Sequence, residues 1–413
     1  MTDKTKVITT PLKVFETFAG IGAQHKAITN KELPFEIIKT SEWDARAIIA
    51  YAQIHHNAKF NSELVKISKW NLSEVNNYLL GKVFSLDSKK PARIISKPLE
   101  FKQILIAANI VNNNLSDINK INGKELKGID LLTYSFPCQG LSIANMGRGR
   151  GMKQDSDSTS NLIWQIHRII EEAAKSKIEL PKYLIMENVK NLLSKKHIND
   201  YKEWKEFLLS KGYITYTVKL SGIDFSSLQR RERIFGISIK TKIKNWDTDD
   251  QLKELLINKY GNKINDLAKR EQHYRDILNT SNLKERKEAT PNDTKSRIRM
   301  AIENHNLLTR KWANNYEWTF NTLTTKQDRH PNIGMIKNNF EIQGKLNHRF
   351  ITPREAYQIM DFTVEDFEKV NELYEKNILT KESLYRQAGN SIVVSVLEAI
   401  FNFIYDYERG VYG

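Results

Sequence analysis

Short apolar runs bounded by turn-forming residues recur along this chain and predict buried parallel strands. Four such runs stand out, at Lys13 to Phe18, around Ile37 and Ile38, at Ile129 to Tyr134 and within Pro181 to Lys190. Longer segments with a helical period lie between them, as in Leu162 to Ile170. Strands that alternate with helices indicate an α/β fold with an open, mostly parallel sheet.

The remaining pattern predicts how the chain is divided. Leu228 to Ser238 alternates as one strand, which places Gln229, Arg231 and Arg233 on the same polar face. Residues 56–116 are rich in Asn and Lys and predict a helical insertion. Residues 241–347 carry 20 Lys+Arg against 14 Asp+Glu, which indicates a separate basic domain. We therefore expect a first domain at 1–240, a second domain at 241–347 and a further segment at 348–413.

Charge and composition narrow the class of protein. The 413 residues are 40% hydrophobic, enough for two or three folded cores, and the net charge of +15 favours a polyanionic partner such as nucleic acid. The segment Met1 to Thr10 lacks the apolar core of a secretory signal, and no apolar run reaches the length of a membrane span. We expect a cytoplasmic protein with no membrane partner.

Two side chains at predicted strand ends are candidates for catalysis. Cys138 is the only cysteine, so within the chain it has neither a disulfide partner nor a second thiolate for a zinc site. It follows the third strand, where the carboxyl edge of an open α/β sheet normally binds ligands. Glu187 ends the fourth strand at the same edge. By position alone, Cys138 could also be a buried apolar side chain and Glu187 a helix cap.

A glycine-rich turn follows the first strand and predicts a nucleotide-like ligand. In Phe18-Ala19-Gly20-Ile21-Gly22 the backbone can approach a ligand closely, but His25 stands where the third glycine of a dinucleotide fingerprint belongs. A nicotinamide oxidoreductase is therefore disfavoured. Glu42 lies about 20 residues after the turn, as a ribose-binding acid does, and Trp43 offers a flat face to a purine.

Ser135-Phe136-Pro137-Cys138-Gln139 resembles the catalytic signature of the C5-cytosine DNA methyltransferases, and other segments of that family's pattern follow in the same order from Phe15 to about Phe401. The resemblance implies an α/β fold of the class I methyltransferase type (Rossmann-like), with a doubly wound mixed sheet and a second, smaller DNA target-recognition domain. It also implies methyl transfer from S-adenosylmethionine, without a metal, to C5 of a cytosine rotated out of duplex DNA.

The same resemblance assigns site residues. In the family pattern Cys138 adds to the cytosine ring, Glu187 hydrogen-bonds it, and Arg231 and Arg233 hold the base and the adjacent backbone. The implied S-adenosylmethionine residues are Phe18, Gly20, Ile21, Gly22, Glu42, Trp43, Asp117, Ile118, Pro137, Leu162, Asn390 and Ser391. The implied DNA-binding residues are Gln139, Ser142, Arg148, Arg150, Gln229, Thr322, Lys326 and Arg329.

Two other functions stay open at this stage. A tRNA cytosine-5 methyltransferase shares this fold and signature, and a DNA-binding regulator with a decayed site would retain the basic domain. Methylation of an amino group is disfavoured, because neither D-P-P-Y nor S-P-P-Y occurs. We expect a prokaryotic, nucleoid-associated monomer that acts on double-stranded DNA in a restriction-modification system, with a cognate restriction endonuclease acting separately.

Overall fold

The computed structural model describes residues 10–137, 162–304, 311–312 and 315–412. These residues form two compact units. The first unit contains the described residues up to 220 together with 232–260 and the end of the chain from 398, and the second contains 221–231 and 261–397.

The strands are β1 Leu12–Thr17, β2 Phe35–Ser41, β3 Leu131–Tyr134, β4 Tyr183–Val189, β5 Tyr213–Ser221, β6 Gln229–Arg230, β7 Glu232–Lys240, β8 Lys311–Trp312, β9 Asn315–Tyr316, β10 Phe320–Asn321, β11 Ile336–Lys337 and β12 His348–Arg349. The helices are α1 Ala23–Asn30, α2 Ala45–His55, α3 Asn57–Ile67, α4 Leu72–Leu79, α5 Leu99–Val111, α6 Ile163–Lys175, α7 Ile198–Ser210, α8 Asp249–Tyr260, α9 Leu267–Asn279, α10 Leu283–Glu288, α11 Lys295–Asn304, α12 Pro353–Ile359, α13 Val364–Glu375, α14 Lys381–Asn390 and α15 Val394–Glu408.

A six-stranded mixed sheet organises the first unit, in the order β2-β1-β3-β4-β7-β5. The pairs β1/β2, β1/β3 and β3/β4 are parallel, and β7 runs antiparallel to β4. All four residues of β3 are buried, as expected for a central strand covered on both faces. The predicted α/β fold with a mixed sheet is confirmed.

The predicted insertion forms helices α3, α4 and α5. Helix α5 is apolar on nearly all sides, with nine buried residues from Phe101 to Asn109. A helix of this composition requires cover on several faces. Asn71 and Glu74 form a capping box that begins α4. The Asn-rich segment after α5 also supports the site, because the amide of Asn114 exchanges hydrogen bonds with the backbone of Glu42.

The single strand expected at 228–238 is wrong, since the structure breaks it at Arg231. Residues Gln229 and Arg230 pair in parallel with β10 in the second unit, whereas β7 joins the main sheet of the first. The backbone N–H of Arg231 donates to the carbonyl of Gln229 instead of to a neighbouring strand. The alternating side chains therefore do not share one face.

The units also divide the chain differently from the expected boundaries. Helix α8 belongs to the first unit, where Asp249 accepts the N–H of Thr217 and Tyr260 donates to Asp406. Residues 348–397 belong to the second unit, where Arg354 of α12 forms an ion pair with Glu285. Contacts between segments that are distant in the sequence define both boundaries, and composition does not reveal them.

One apolar stretch resembles a membrane span in length. Among the described residues only Lys381–Glu408 is long and apolar enough to cross a membrane, and 72% of its most apolar window is buried inside the protein. The core helices of globular proteins have the same properties.

Candidate active site

The carboxyl ends of three parallel strands define one edge of the sheet. Thr17 of β1 lies beside Tyr134 of β3, which lies beside Met186 of β4. The next residues along the chain therefore leave the sheet at the same edge. They include the glycine-rich turn and the Ser135–Pro137 segment, and Glu187 follows Met186 within β4 at this edge.

The glycine-rich turn adopts left-handed backbone conformations at alternate residues. Phe18, Gly20 and Gly22 have φ angles of 54°, 55° and 79°. The N–H of Gly20 donates to the carboxylate of Glu42 at 2.9 Å, which joins the turn after β1 to the end of β2. A Cβ atom built on Gly20 would meet nothing within 4 Å. The turn therefore has an open side on which a ligand can lie against the backbone.

Glu42 both holds this region together and keeps capacity for a ligand. Its second oxygen accepts the N–H groups of Trp43 and Asp44 at 2.8 and 2.7 Å. Burial, with the nearby charge of Asp44, raises the pKa of Glu42 to about 7. A carboxylate offers about four lone-pair sites, and the three N–H groups use three of them. One lone-pair site of Glu42 is therefore left for a further hydrogen-bond donor.

A cluster beneath the turn was missed by the sequence analysis. The ring nitrogen Nε2 of His55 donates to the carbonyl of Ile21 at 2.9 Å, and the hydroxyl of Tyr51 donates to Glu16 at 2.9 Å. Burial raises the pKa of Glu16 to about 8. Among the described residues, no group of three or more His, Cys, Asp or Glu side chains is arranged to hold a metal ion. We assign this cluster to support of the turn.

We expect Gly22→Ala to destabilise the protein more than Gly20→Ala. A Cβ atom at Gly22 would lie 2.4 Å from His55 Nε2 and 2.6 Å from Tyr51, in addition to the backbone strain. The expected loss in the free energy of unfolding is about 2–4 kcal/mol for Gly22→Ala. It is about 1–2 kcal/mol for Gly20→Ala, which adds only backbone strain.

Thermal unfolding of both variants, with calorimetric titration of S-adenosylhomocysteine, measures the difference. Gly20→Ala should lose cofactor affinity with a small change in stability, because its methyl group enters the open side of the turn. Equal stability of the two variants would contradict the proposed role of the cluster beneath the turn.

Other predicted cofactor residues pack on one hydrophobic cluster of the first unit. Ile118 is a buried member of this cluster, and the half-buried Phe18 and Leu162 pack against it. Arg168, which the sequence analysis missed, donates from α6 to the carbonyl of Ile121 at 2.7 Å and to that of Ile118 at 3.3 Å. It holds the short helical turn that begins at Asp117. The turn that carries the predicted cofactor residues Asp117 and Ile118 is thus tied to α6.

Glu187 and Arg233 form an ion pair at the end of β4. Arg233 Nε lies 3.1 Å from Glu187 Oε1, and the side chains of Arg233 and Glu187 are 15% and 12% exposed. The antiparallel register places Arg233 beside Val189, two residues beyond Glu187. The sheet thus brings two of the predicted catalytic side chains together, with enough exposure to reach a substrate.

Asn188 connects this pair to the Pro-Cys segment. Its side-chain amide, which is buried, donates to the carbonyl of Phe136 at 3.1 Å. Phe136 and Pro137 directly precede Cys138, which lies outside the described residues. The bond fixes the chain leading to Cys138 beside the strand end that carries Glu187. The sequence contained this asparagine next to Glu187, but its partner is 52 residues away.

Gln229 and Arg231 make contacts that differ from those expected. Gln229 is fully buried, and its amide accepts the N–H of Leu323 and donates to the carbonyl of Ile359. The two terminal nitrogens of Arg231 donate to the carbonyls of Leu323 and Gly389, each at 2.9 Å. Both side chains therefore bind main-chain groups of the second unit.

The remaining predicted residues are placed as follows. The hydroxyl of Thr322 donates to the carbonyl of Arg230, Lys326 is exposed, and Arg329 forms an ion pair with Glu382 at 2.8 Å. Asn390 is exposed at the end of α14, and Ser391 is buried. The predicted DNA-binding residues Gln139, Ser142, Arg148 and Arg150 lie, like Cys138, outside the described residues.

The sheet order and the ligand-binding edge define the class I methyltransferase fold, and solved structures share it. The Dnmt2 methyltransferase of S. pombe superposes with a TM-score of 0.63 over 96% of this chain and 99% of that chain, at 17% identity. A DNMT2 mutant of Spodoptera frugiperda gives a TM-score of 0.55 over 95% and 99%, at 15% identity. At such identities the likeness concerns the fold.

The family follows from the sequence comparisons. The model of the C-5 cytosine-specific DNA methylases matches residues 99–406, and the chain belongs to that family. It is 35% identical to the orphan methyltransferase M.SssI of Spiroplasma monobiae over 96% of this chain and 98% of that protein. It is 32% identical to the type II methyltransferase M2.ScrFI of Lactococcus lactis subsp. cremoris over 95% and 99%. The predicted family and enzyme class, DNA (cytosine-5-)-methyltransferase, are confirmed.

Proposed function

We propose that Cys138, Glu187 and Arg233 carry out the methyl transfer to C5 of a cytosine in a short specific sequence of duplex DNA. The observation that carries the proposal is the ion pair between Arg233 and Glu187 at the carboxyl edge of the sheet. A carboxylate beside a guanidinium presents both hydrogen-bond acceptors and donors to a base, and the polar edge of cytosine requires both. The hydrogen bond from Asn188 to Phe136 holds the segment that precedes Cys138 in the sequence beside the end of β4.

The chemistry begins with activation of the cytosine ring, because C5 alone is a weak nucleophile. The Cys138 thiolate adds to C6, while Glu187 accepts a hydrogen bond from N4 and shares a proton with N3. Arg233 orients the base through O2, and its charge favours the thiolate over the thiol. The addition makes C5 nucleophilic, so that C5 gains the methyl group. A base then removes the C5 proton, and elimination breaks the bond between C6 and sulfur.

S-adenosylmethionine would supply the methyl group as an electrophilic sulfonium. The turn from Phe18 to Gly22 offers its open side to the ligand, and Glu42 keeps a lone pair for the ribose hydroxyls. Trp43 and Ile118 offer apolar surface to the adenine. Asp117 accepts the N–H and the side-chain amide of Asn119 through one oxygen of its carboxylate. The other predicted cofactor residues are Ile21, Pro137, Leu162, Asn390 and Ser391.

Cytosine must leave the base stack before Cys138 can reach C6, at a cost of a few kcal/mol. We propose that Gln139, Ser142, Arg148 and Arg150 contact the bound DNA. Thr322, Lys326 and Arg329 would contact the target sequence from the second unit. The net charge of +15 supports a polyanionic substrate.

The biological role we propose is protection of host DNA within a restriction-modification system, with a separate cognate endonuclease. The Lactococcus relative is named a type II methyltransferase, and this name supports the proposed role. The Spiroplasma relative is named an orphan methyltransferase, which is consistent with an enzyme that acts without an endonuclease. In either role the enzyme would act as a monomer, at the nucleoid in a prokaryotic cytoplasm.

Bisulfite sequencing of plasmid DNA from cells that express this chain tests the proposed substrate. We expect protected cytosines in one short recurring context, and none in cells that express Cys138→Ala. The reaction requires the thiolate, so the same fold without it provides a matched control.

The same cells separate the alternatives. Protected cytosines in tRNA, with none in the plasmid, would reassign the enzyme to RNA. No protection in either nucleic acid, with DNA binding retained by the purified protein, would favour a regulator that has lost catalysis.

A further inference from the structure

Three sequence motifs that are far apart along the chain converge within the second unit. They are the Gln229-Arg230-Arg231 segment, the Thr322-Leu323-Thr324 segment and the end of helix α14, which contains Gly389. Strands β6 and β10 first align two of them, since Phe320 lies beside Gln229 and Asn321 beside Arg230. This pairing ends directly before Thr322, where side chains replace the strand hydrogen bonds.

Both backbone groups of Leu323 are bound by side chains of the first segment. The carboxamide oxygen of Gln229 accepts its N–H, and a guanidinium nitrogen of Arg231 donates to its carbonyl, each at 2.9 Å. Gln229 and Arg231 are 0% and 4% exposed. Because a buried backbone group without a partner is costly, these two side chains determine the path of the chain at Leu323.

The second terminal nitrogen of Arg231 reaches the end of helix α14. It donates to the carbonyl of Gly389, and the same glycine packs directly on the backbone of Thr324 and Thr325. A Cβ atom on Gly389 would lie 2.5 Å from the nitrogen of Thr325 and 2.6 Å from the carbonyl carbon of Thr324. One planar guanidinium therefore spans two backbone segments that already touch.

The two segments have different predicted ligands. Thr325 directly precedes Lys326, which is proposed to contact DNA, and Gly389 directly precedes Asn390 and Ser391, which are proposed to contact the cofactor. A displacement of either segment requires the other to move, because Arg231 bonds both and the glycine leaves no free space.

We propose that Arg231 is a positioning residue that couples recognition of DNA to binding of the cofactor. This inference rests on the proposed function of the chain. In a coupled system, each ligand raises the affinity of the other by the same factor. The coupling would favour the complex that contains both DNA and the cofactor over a complex that contains only one of them.

The test measures this factor in wild type and in Arg231→Lys. The affinity for a duplex that contains the methylated context is measured by fluorescence anisotropy, with and without saturating S-adenosylhomocysteine. We expect the cofactor product to tighten binding about 5–150-fold in wild type. In Arg231→Lys the ratio should approach 1, because an ammonium group cannot span both carbonyls as the guanidinium does.

Two controls distinguish coupling from general damage. Arg275→Lys makes the same substitution on an exposed arginine that pairs with Glu271 in α9, and should keep the wild-type ratio. Calorimetric titration of S-adenosylhomocysteine with and without the duplex must give the same factor as the anisotropy. A structural defect alone would weaken both ligands separately without removing the ratio.

A second variant tests the same coupling if Arg231→Lys does not fold. Gly389→Ala separates the same two segments from the other side and should also bring the ratio near 1. An unchanged ratio in a folded variant, a ratio of 1 in wild type, or loss of folding in both variants would overturn the coupling role. In each of these cases the bisulfite experiment would still detect methylation by the wild-type protein. Failure of the coupling role is therefore distinguishable from failure of the proposed function.

Discussion

Cys138→Ala should abolish methyl transfer while the protein still binds S-adenosylhomocysteine and DNA. Cys138 is the only cysteine in 413 residues, so no other thiol can substitute for it. Removal of a nucleophile that forms the covalent intermediate should lower the rate by more than about 10⁴-fold. Transfer of a radiolabelled methyl group to duplex DNA measures the rate, and calorimetry measures both affinities.

A DNA duplex with 5-fluorocytosine at the target position provides an independent readout. Fluorine at C5 leaves no proton to remove, so elimination stops after methyl transfer and the enzyme stays joined to C6. A complex that resists denaturant should form with wild type and be absent with Cys138→Ala. Turnover in the variant, or a resistant complex without the thiol, would refute the covalent mechanism.

Glu187→Gln should lower the rate of methyl transfer by about 10²–10⁴-fold with little change in cofactor affinity. The carboxylate of Glu187 forms an ion pair with Arg233 at 3.1 Å. The neutral amide of Gln can neither share a proton with N3 of the cytosine nor form an ion pair with the guanidinium. Single-turnover kinetics on a DNA duplex measures the chemical step apart from binding.

Glu232→Gln is the matched control, because Glu232 lies in β7 next to Arg233 but pairs with Lys190 and Lys219. It should retain the wild-type rate. If both variants behave alike, Glu187 supports the strand end instead of the reaction. A raised KM for the cofactor in Glu187→Gln would point to the same conclusion.

Local signals in the sequence were sufficient for the elements that build the sheet edge. Buried apolar runs gave four strands whose bounds in the structure are close to those expected, because a central parallel strand must be apolar on both faces. The glycine pattern gave the turn at Gly20 and Gly22, where the φ angles are left-handed. The spacing to Glu42 gave the residue that binds this turn.

The contacts of Gln229 and Arg231 could not be obtained in the same way. Alternation predicts one strand with three polar side chains on one face, and this is the local preference of the segment. The structure breaks the strand because Arg231 bonds Leu323 and Gly389, which lie 92 and 158 residues away. Periodicity carries no information about partners at such distances.

The sequence by itself determined the family, the α/β class and the identity of the candidate side chains at the strand ends, since these depend on residue types at short spacings. Only the tertiary structure decided which of them meet. It paired Arg233 with Glu187, tied Asn188 to Phe136, and directed Arg231 to the backbone of the second unit. The physical reason is that buried polar groups must find partners, and chain folding determines which partners are within reach.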